Sequence, residues 1–136
     1  MTGRPVIVHS FDHARAALAA ADGLDAAVTL LSAPGAAAYL GASIFRTMVA
    51  EAAVAYPGVK LTAILDCGND PGLALNALRH GIKALRLDTS PDVRRRIADI
   101  AAQADAVLDE DLGPALDLFA VANLEAACRA WLAPAN

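Results

Sequence analysis

Residues that can transfer protons or attack a substrate stand where the apolar runs of this sequence end. Asp66 ends one such run and Cys67 follows it, and His9 ends another. A thiol, an imidazole and a carboxylate are the groups that form a nucleophile, its base and the residue that orients the base. Cys67 also precedes a predicted helix N-terminus, where the helix dipole favours a thiolate. The candidate catalytic residues are therefore Cys67 as nucleophile, His9 as general base and Asp66 as their partner.

The same residues also fit structural roles. A free cysteine is among the residue types most often buried, and a histidine at a strand end is often a core polar group with its hydrogen bonds satisfied. Helix N-caps favour Ser, Thr, Asp and Asn whatever the function, so Ser10, Asp70, Ser90 and Ser43 fit capping. Both interpretations stay open at the level of sequence.

A loop rich in small residues, from Ser32 to Gly41, follows the second apolar run. Small side chains let a ligand approach the backbone, and exposed N–H groups can hold a phosphate or a carboxylate. The loop matches neither G-x-x-x-x-G-K-[ST] nor G-x-G-x-x-G, and tight packing is the alternative. For a small anionic molecule, the predicted ligand-binding residues are Ser10, Ser32, Gly35, Asn69 and Asp88.

Five short apolar runs with β-branched residues predict five strands that are buried on both faces, as in a parallel sheet. They are Pro5–His9, Ala27–Leu31, Lys60–Asp66, Ala84–Asp88 and Ala106–Asp109. Helical patterns lie between and after them. They cover about 12–21 and 43–56, the segments that open at Asp70 and at Ser90, and about 114–132.

The alternation of strands and helices predicts a single α/β domain over residues 1–136, with three α/β/α layers. We expect a five-stranded parallel sheet in the flavodoxin-like order 2-1-3-4-5, and half of a βα barrel, completed by a second copy, is the alternative. In the flavodoxin-like order, strand one lies beside strand three. His9 is therefore expected near Asp66 or Cys67.

Composition narrows the classes of function. The 136 residues carry a net charge of −4 and only 4% aromatic residues, which argues against a phosphate-neutralising or base-stacking nucleic-acid surface. The uncharged stretch 26–45 is interrupted by Ser32-Ala-Pro-Gly35, so we predict no membrane span. With two cysteines, no signal-like start and no zinc spacing, we expect a cytoplasmic protein without cofactor or metal.

Two further features bear on chemistry. The only lysines, Lys60 and Lys83, fall at the starts of strands, on the side opposite the expected site, which argues against Schiff-base catalysis. The acidic run Asp109-Glu110-Asp111 has the oxygen ligands that a divalent cation prefers, or is a solvated loop.

The segment 74–88, ALNALRHGIKALRLD, resembles part of response-regulator receiver domains, and it resembles equally the corresponding segment of phosphate-binding βα barrels. A receiver resemblance implies phosphotransfer, but the acidic pair after strand one and the lysine after the last strand are missing. The whole chain, through Val6–Ser10, Thr29–Gly35 and Leu65–Gly68, also resembles small bacterial proteins without an assigned function. That resemblance implies a fold and no activity.

These observations predict a small-molecule-binding α/β domain, a candidate enzyme, whose site lies at the carboxyl ends of the strands and takes an anionic ligand. The alternative is a receiver-like, non-catalytic module that binds a partner or forms a homodimer. It would use the apolar last helix, around Phe119, Leu124 and Trp131.

Overall fold

The computed structural model of this chain describes residues 3–109 and 113–134. Within these residues, β-strands and α-helices largely alternate. The strands are β1 (Pro5–Val8), β2 (Val28–Ser32), β3 (Leu61–Asp66), β4 (Ala84–Arg86), β5 (Val107–Leu108) and β6 (Leu116–Asp117). The helices are α1 (Phe11–Leu24), α2 (Ala42–Ala53), α3 (Pro71–Arg79), α4 (Pro91–Gln103) and α5 (Leu124–Leu132), with a short 3₁₀-helix at Ala36–Ala38.

The helix starts follow from local side-chain chemistry. Ser10 accepts a hydrogen bond from the His13 N–H at the start of α1, and Ser90 accepts one from the Val93 N–H at the start of α4. Asp70 accepts from two backbone N–H groups at the start of α3. Such caps satisfy donors that have no partner inside the helix. Three of the predicted capping roles are therefore confirmed, whereas Ser43 lies inside α2, which begins at Ala42.

The parallel α/β character of the sheet is confirmed, but its strand order and strand number are not. All five predicted strands are present, and β6 is a sixth. The order is β5-β4-β3-β2-β1-β6 rather than the flavodoxin-like 2-1-3-4-5. From β1 to β5 each strand lies beside its predecessor, so β2 separates β1 from β3. Such a sequential order is the one that βα barrels have.

The sixth strand lies in a segment that was predicted to be helical. The pattern of 114–132 predicts one long helix, yet the structure has β6 at Leu116–Asp117 and begins α5 only at Leu124. Asn123 caps α5 by accepting from the Ala126 N–H. β6 pairs in parallel with β1, with Val6 opposite Leu116 and Ile7 opposite Asp117. This pairing with a distant strand overrides the local helical preference.

Residue contacts divide the chain into two compact units. Unit 1 comprises the described residues of Met1–Leu31, Met48–Thr62 and Leu112–Asn136. Unit 2 comprises those of Ser32–Thr47 and Ala63–Asp111. Large side chains without solvent contact form a core in each unit: Val6, Leu18, Val28, Leu30 and Leu118 in unit 1, and Phe45, Leu65 and Leu85 in unit 2.

None of the helices in the described part of the chain is both long enough and apolar enough to cross a membrane.

Candidate functional site

The Asp66 carboxylate is held by backbone donors from two loops of unit 2. Asp66 ends β3, and its Oδ1 atom accepts hydrogen bonds from the Gly35 N–H at 3.0 Å and from the Gly68 N–H at 2.8 Å. No hydrogen bond of its Oδ2 atom is found within residues 3–109 and 113–134. One oxygen therefore fixes the side chain, and the other remains an acceptor for a ligand.

Both donors are glycines in the left-handed backbone region. The φ angle is 69° at Gly35 and 60° at Gly68, values that residues with a side chain adopt only at a cost. A Cβ atom placed on Gly68 would lie 3.8 Å from the Cα atom of Gly35, so the two loops approach each other closely. The glycines thus let the two N–H groups converge on one carboxylate oxygen.

The buried side chain of Ser32 binds the backbone N–H of Asp66 and does not face a ligand. Its side chain is 1% exposed, and its Oγ atom accepts from the Asp66 N–H at 2.8 Å while donating to the Ala33 carbonyl at 3.2 Å. The hydroxyl group is therefore committed to holding the end of β3. A ligand-binding role for Ser32 remains a prediction, and what the structure shows is a positioning contact.

An arginine that the sequence interpretation did not single out lies beside Asp66. Arg86 ends β4, which pairs in parallel with β3 so that Asp66 lies opposite Arg86. Its NH2 group donates to Asp109 Oδ2 at 2.9 Å. Because a charged residue in a buried strand is rare unless it is paired, Arg86 within the apolar run 84–88 was a signal for a site.

The carboxylate of Asp109 lies in a buried environment, which is unusual for an acidic side chain. Its side chain is 8% exposed, and its Oδ1 atom is buried without a hydrogen-bond partner in the described ranges. Burial raises the pKa of Asp109, and the Asp66 charge adds to this, although Arg86 and Arg94 lower it. Arg86 thus has two carboxylates near it, that of Asp109, to which it donates, and that of Asp66 on the neighbouring strand. The remaining residues of the predicted acidic run, Glu110 and Asp111, lie outside the described residues.

Asp66 and Arg86 border a cleft of about 460 Å³ at the carboxyl ends of the unit 2 strands. The lining contains three charged residues, one amide and three residues with little or no side chain that can cover the backbone. These residues are Asp66, Arg86 and Asp88, then Asn69, and then Pro34, Gly35 and Gly68. Four of the predicted site residues, Gly35, Asp66, Asn69 and Asp88, are therefore brought together. Their ligand-binding roles remain predictions.

The Gly35 backbone is not available as the predicted anion cradle. Its N–H donates to Asp66, and the neighbouring Ala36 N–H donates to the Ala33 carbonyl. Pro34 has no N–H to offer. The cation of the cleft, Arg86, is the remaining group of the lining that favours an anion.

Cys67 does not have the properties of an activated thiol. Its side chain is 1% exposed, and its Sγ atom lies 3.8 Å from the Leu65 carbonyl oxygen. Burial, together with the negative charges of Asp66 and Asp70, raises the pKa of Cys67 to about 12. The expected lowering of this pKa by the helix dipole is therefore wrong. Cys67 is therefore a buried residue that does not line the cleft.

His9 lies in unit 1 and pairs with a residue that the sequence interpretation placed in a helix. Its Nε2 atom is 2.7 Å from Asp117 Oδ1. The expected neighbourhood of His9 and Cys67 rested on strand one lying beside strand three, and that order is wrong because β2 lies between β1 and β3. Ser10 likewise uses its hydroxyl group as the cap of α1.

The last helix packs on its own unit. The Trp131 Nε1 group donates to the Pro5 carbonyl at 3.0 Å, the Arg4 guanidinium lies 3.5 Å from the centre of the Trp131 ring, and Cys128 is buried. Phe119, by contrast, is 72% exposed. Trp131 is therefore engaged within its own unit and is not free to contact a second copy of the chain. The homodimer alternative remains a prediction.

Neither lysine is among the residues that line the cleft. The Lys83 Nζ atom donates to the Ala104 carbonyl, and Lys60 directly precedes β3. Across residues 3–109 and 113–134, no group of three His, Cys, Asp or Glu side chains is arranged to hold a metal ion.

The fold and the cleft define a parallel α/β protein with its polar groups at the carboxyl ends of sequentially ordered strands. No family model matches the chain. It is 29% identical to "Fructose-bisphosphate aldolase 1" of Cereibacter sphaeroides over 120 residues, which cover 78% of this chain and 33% of that protein. It is 30% identical to "Fructose-bisphosphate aldolase class 2" of Synechocystis sp. over 83 residues, which cover 61% of this chain and 23% of that protein.

A solved structure shows the same fold. The crystal structure described as a fructose-1,6-biphosphate aldolase from Coccidioides immitis has a TM-score of 0.64 and 21% identity to this chain. The match covers 79% of this chain and 40% of that one. This chain thus spans a third or less of the length of the curated relatives. The comparisons support neither the receiver-domain resemblance nor the resemblance to small bacterial proteins without an assigned function, and they indicate similarity to aldolases instead.

Proposed function

We propose that the cleft of unit 2 binds a small phosphorylated sugar or a close analogue of one. The observation that carries this proposal is the geometry of Asp66. Its Oδ1 atom is held by the Gly35 and Gly68 N–H groups, its Oδ2 atom remains an acceptor, and Arg86 lines the same cleft. A fixed carboxylate beside a fixed cation suits a ligand that carries hydroxyl groups at one end and an anion at the other.

The hydroxyl end of the ligand belongs with Asp66 and Asn69. A carboxylate oxygen accepts from hydroxyl groups, and the amide of Asn69 both donates and accepts. Asn69 and Asp88 are exposed at the cleft and have no side-chain hydrogen bonds in the described part of the chain. They are therefore able to pair with hydroxyl groups without first breaking an internal bond.

The anionic end belongs with Arg86. A guanidinium group has five N–H donors in a rigid fork, and the bond to Asp109 uses the NH2 group. The remaining donors can bind a phosphate while Asp109 keeps the side chain in place. The buried partner makes Arg86 a positioned donor, whereas a free surface arginine would first have to be ordered.

The comparisons support the same class of ligand. The names of both curated relatives and of the solved structure contain fructose bisphosphate, a sugar with two phosphate groups. Of the predicted catalytic set, Asp66 is the member that lines this cleft, whereas the Cys67 thiol is buried with a raised pKa. Asp66 is thus the residue of the predicted catalytic set that we retain for this site.

Calorimetric titration with fructose 1,6-bisphosphate, fructose and inorganic phosphate tests the proposal. We expect saturable binding of the bisphosphate, weakened about tenfold or more by Asp66→Asn, because one hydrogen bond to a charged acceptor contributes about 1.5–3 kcal/mol. Arg86→Lys should weaken binding of the bisphosphate and of phosphate while leaving that of fructose nearly unchanged. The lysine substitution keeps a positive charge beside Asp109 but removes the planar array of N–H donors that a guanidinium group has.

Matched controls exist on α4, where Asp92 and Arg95 form an exposed ion pair away from the cleft lining. Asp92→Asn and Arg95→Lys make the same chemical changes and should leave binding as in the parent chain. The proposal fails if the parent chain shows no saturable heat with the bisphosphate. It also fails if Asp66→Asn binds as tightly as Asp92→Asn.

A further inference from the structure

A cluster of two histidines, a carboxylate and an aromatic ring lies in unit 1, apart from the residues that line the proposed sugar site. His9 follows β1, His13 lies in the first turn of α1, and Asp117 ends β6, which pairs with β1. Phe119 follows Asp117 after one residue. The parallel β1–β6 pair therefore brings the carboxyl ends of two strands that are 108 residues apart into contact.

The contact between His9 and Asp117 fixes the proton of the imidazole. Asp117 Oδ1 lies 2.7 Å from His9 Nε2 and also accepts from the Phe119 N–H at 2.9 Å. Burial raises the pKa of Asp117, but the bonds from Phe119 and His9 and the nearby histidine charges outweigh it and lower the pKa. Because Asp117 Oδ1 is an acceptor, His9 Nε2 donates, and in the neutral imidazole the lone pair lies on Nδ1.

The second histidine lies beside the first, in an environment that favours its neutral form. His13 Nδ1 accepts from the His9 backbone N–H at 3.0 Å, which leaves its proton on Nε2. Burial lowers the pKa of His13, and His9 lowers it further, while Asp117 and Asp12 act in the opposite direction. The two rings meet edge to face with centres 5.6 Å apart. A neutral imidazole of this kind is a hydrogen-bond donor that does not carry a charge.

Phe119 supplies an apolar wall. Its ring centre lies 5.6 Å from that of His9, and the side chain is 72% exposed. An exposed phenyl ring beside a pair of oriented imidazoles is a surface for a ligand that has both an apolar body and one polar group. The Asp–His arrangement, in which a carboxylate orients a base, supplies the proton acceptor.

We propose that His9 and Asp117 form the proton-accepting pair of a second small-molecule site, which takes a phenol whose ring packs on Phe119. The O–H bond of the phenol breaks, and its proton moves to His9 Nδ1. The resulting imidazolium is paired with the Asp117 carboxylate, and the ligand remains as the phenolate. The titratable group that acts on the pair from α1 is His13, and Asp12 of α1 acts in turn on His13.

The probe that tests this site is 4-nitrophenol, whose phenolate is coloured and whose neutral form is not. At a pH below the ordinary ionisation of the free probe, titration with the full chain should produce a saturable phenolate absorbance. His9→Ala should abolish it. Asp117→Asn should reduce the apparent affinity about tenfold, because it replaces a charged acceptor with a neutral one. Phe119→Leu should weaken binding while leaving the colour of the bound probe.

The third histidine of the chain provides the control. His80 lies at the end of α3 in unit 2, and its Nδ1 atom is 2.8 Å from the Asn76 carbonyl oxygen. His80→Gln should give the same phenolate signal as the parent chain. Absence of a saturable signal in the parent chain would overturn the proposal, as would an equal signal in His9→Ala and His80→Gln. Because the sugar site uses none of these residues, either result leaves the sugar site to be judged on its own titrations.

Discussion

Replacement of Asp66 is the perturbation from which the structure gives the clearest energetic expectation. Asp66→Ala removes two hydrogen bonds to a charged acceptor and leaves the Gly35 and Gly68 N–H groups without it. Such bonds contribute about 1.5–3 kcal/mol each. Because both glycines are only half-buried, water recovers part of this loss. We expect the free energy of unfolding to fall by roughly 2–4 kcal/mol.

Asp66→Asn should have a smaller effect. The amide keeps an oxygen that accepts from both glycines but loses the negative charge, so we expect a loss of about 1–2 kcal/mol. Urea unfolding followed by circular dichroism measures both variants. Asp88 is the matched control, since it lines the same cleft and its side chain makes no hydrogen bond in the described residues. Asp88→Ala should change the free energy of unfolding by less than about 0.5 kcal/mol.

The comparison between the two aspartates decides the outcome. If Asp66→Ala costs no more than Asp88→Ala, the two backbone bonds to Asp66 do not stabilise the folded chain. The carboxylate would then not be fixed, and the positioning on which the sugar site depends would be refuted.

Three further predictions follow from the same region. Alkylation of Cys67 in the folded chain should be slow at neutral pH and rapid in urea, because burial raises its pKa to about 12; rapid labelling of the folded chain would contradict this. The pKa of Asp109 is raised in the folded chain above its ordinary value of 3.8. The free energy of unfolding should therefore fall as the pH rises from 3.8 through the pKa of the folded state. Urea titrations at a series of pH values measure this fall, and Asp109→Asn should remove it. Ser32→Ala should lower the free energy of unfolding by about 1–3 kcal/mol by leaving a buried N–H unpaired, whereas the exposed Ser43→Ala should cost less than about 0.5 kcal/mol.

Local patterns predicted the elements well where burial and capping decide the structure. β2 is buried along its whole length, which gives the continuous apolar run that marks an interior parallel strand. Ser10 and Asp70 mark helix starts because capping is a contact between near neighbours in the chain. These signals are carried by a few consecutive residues and need no knowledge of the fold.

The strand order and the partner of His9 could not be predicted in the same way. Successive strands can add to either edge of a sheet without any change in their own patterns, so sequence did not separate the flavodoxin-like order from the sequential one. Asp117 lies in a stretch with helical spacing, and only its pairing with β1 reveals that it ends a strand. The pair depends on contacts between residues far apart in the chain.

Part of the site in unit 2 was predictable, and part was missed for a reason. Asp66, Asn69 and Asp88 follow strands, and the rule that ligands bind at the carboxyl ends of parallel strands singled them out. Arg86 stands inside an apolar run, so the pattern of that run predicts a strand and not a site residue, although an unpaired charge is costly to bury. The Gly35 N–H was predicted to hold an anion, but it is used to hold a carboxylate of the chain itself.

The most direct test of the sugar site is a nuclear magnetic resonance titration that follows the backbone amides of Gly35 and Gly68. Both donate to Asp66, so a ligand that binds the other oxygen of that carboxylate must change their environment. Fructose 1,6-bisphosphate should shift these two resonances and that of Asn69 saturably, with a single dissociation constant, and Asp66→Asn should weaken the effect. If the three resonances do not move, or move no more than the amides of exposed residues on α4, the cleft is not the binding site.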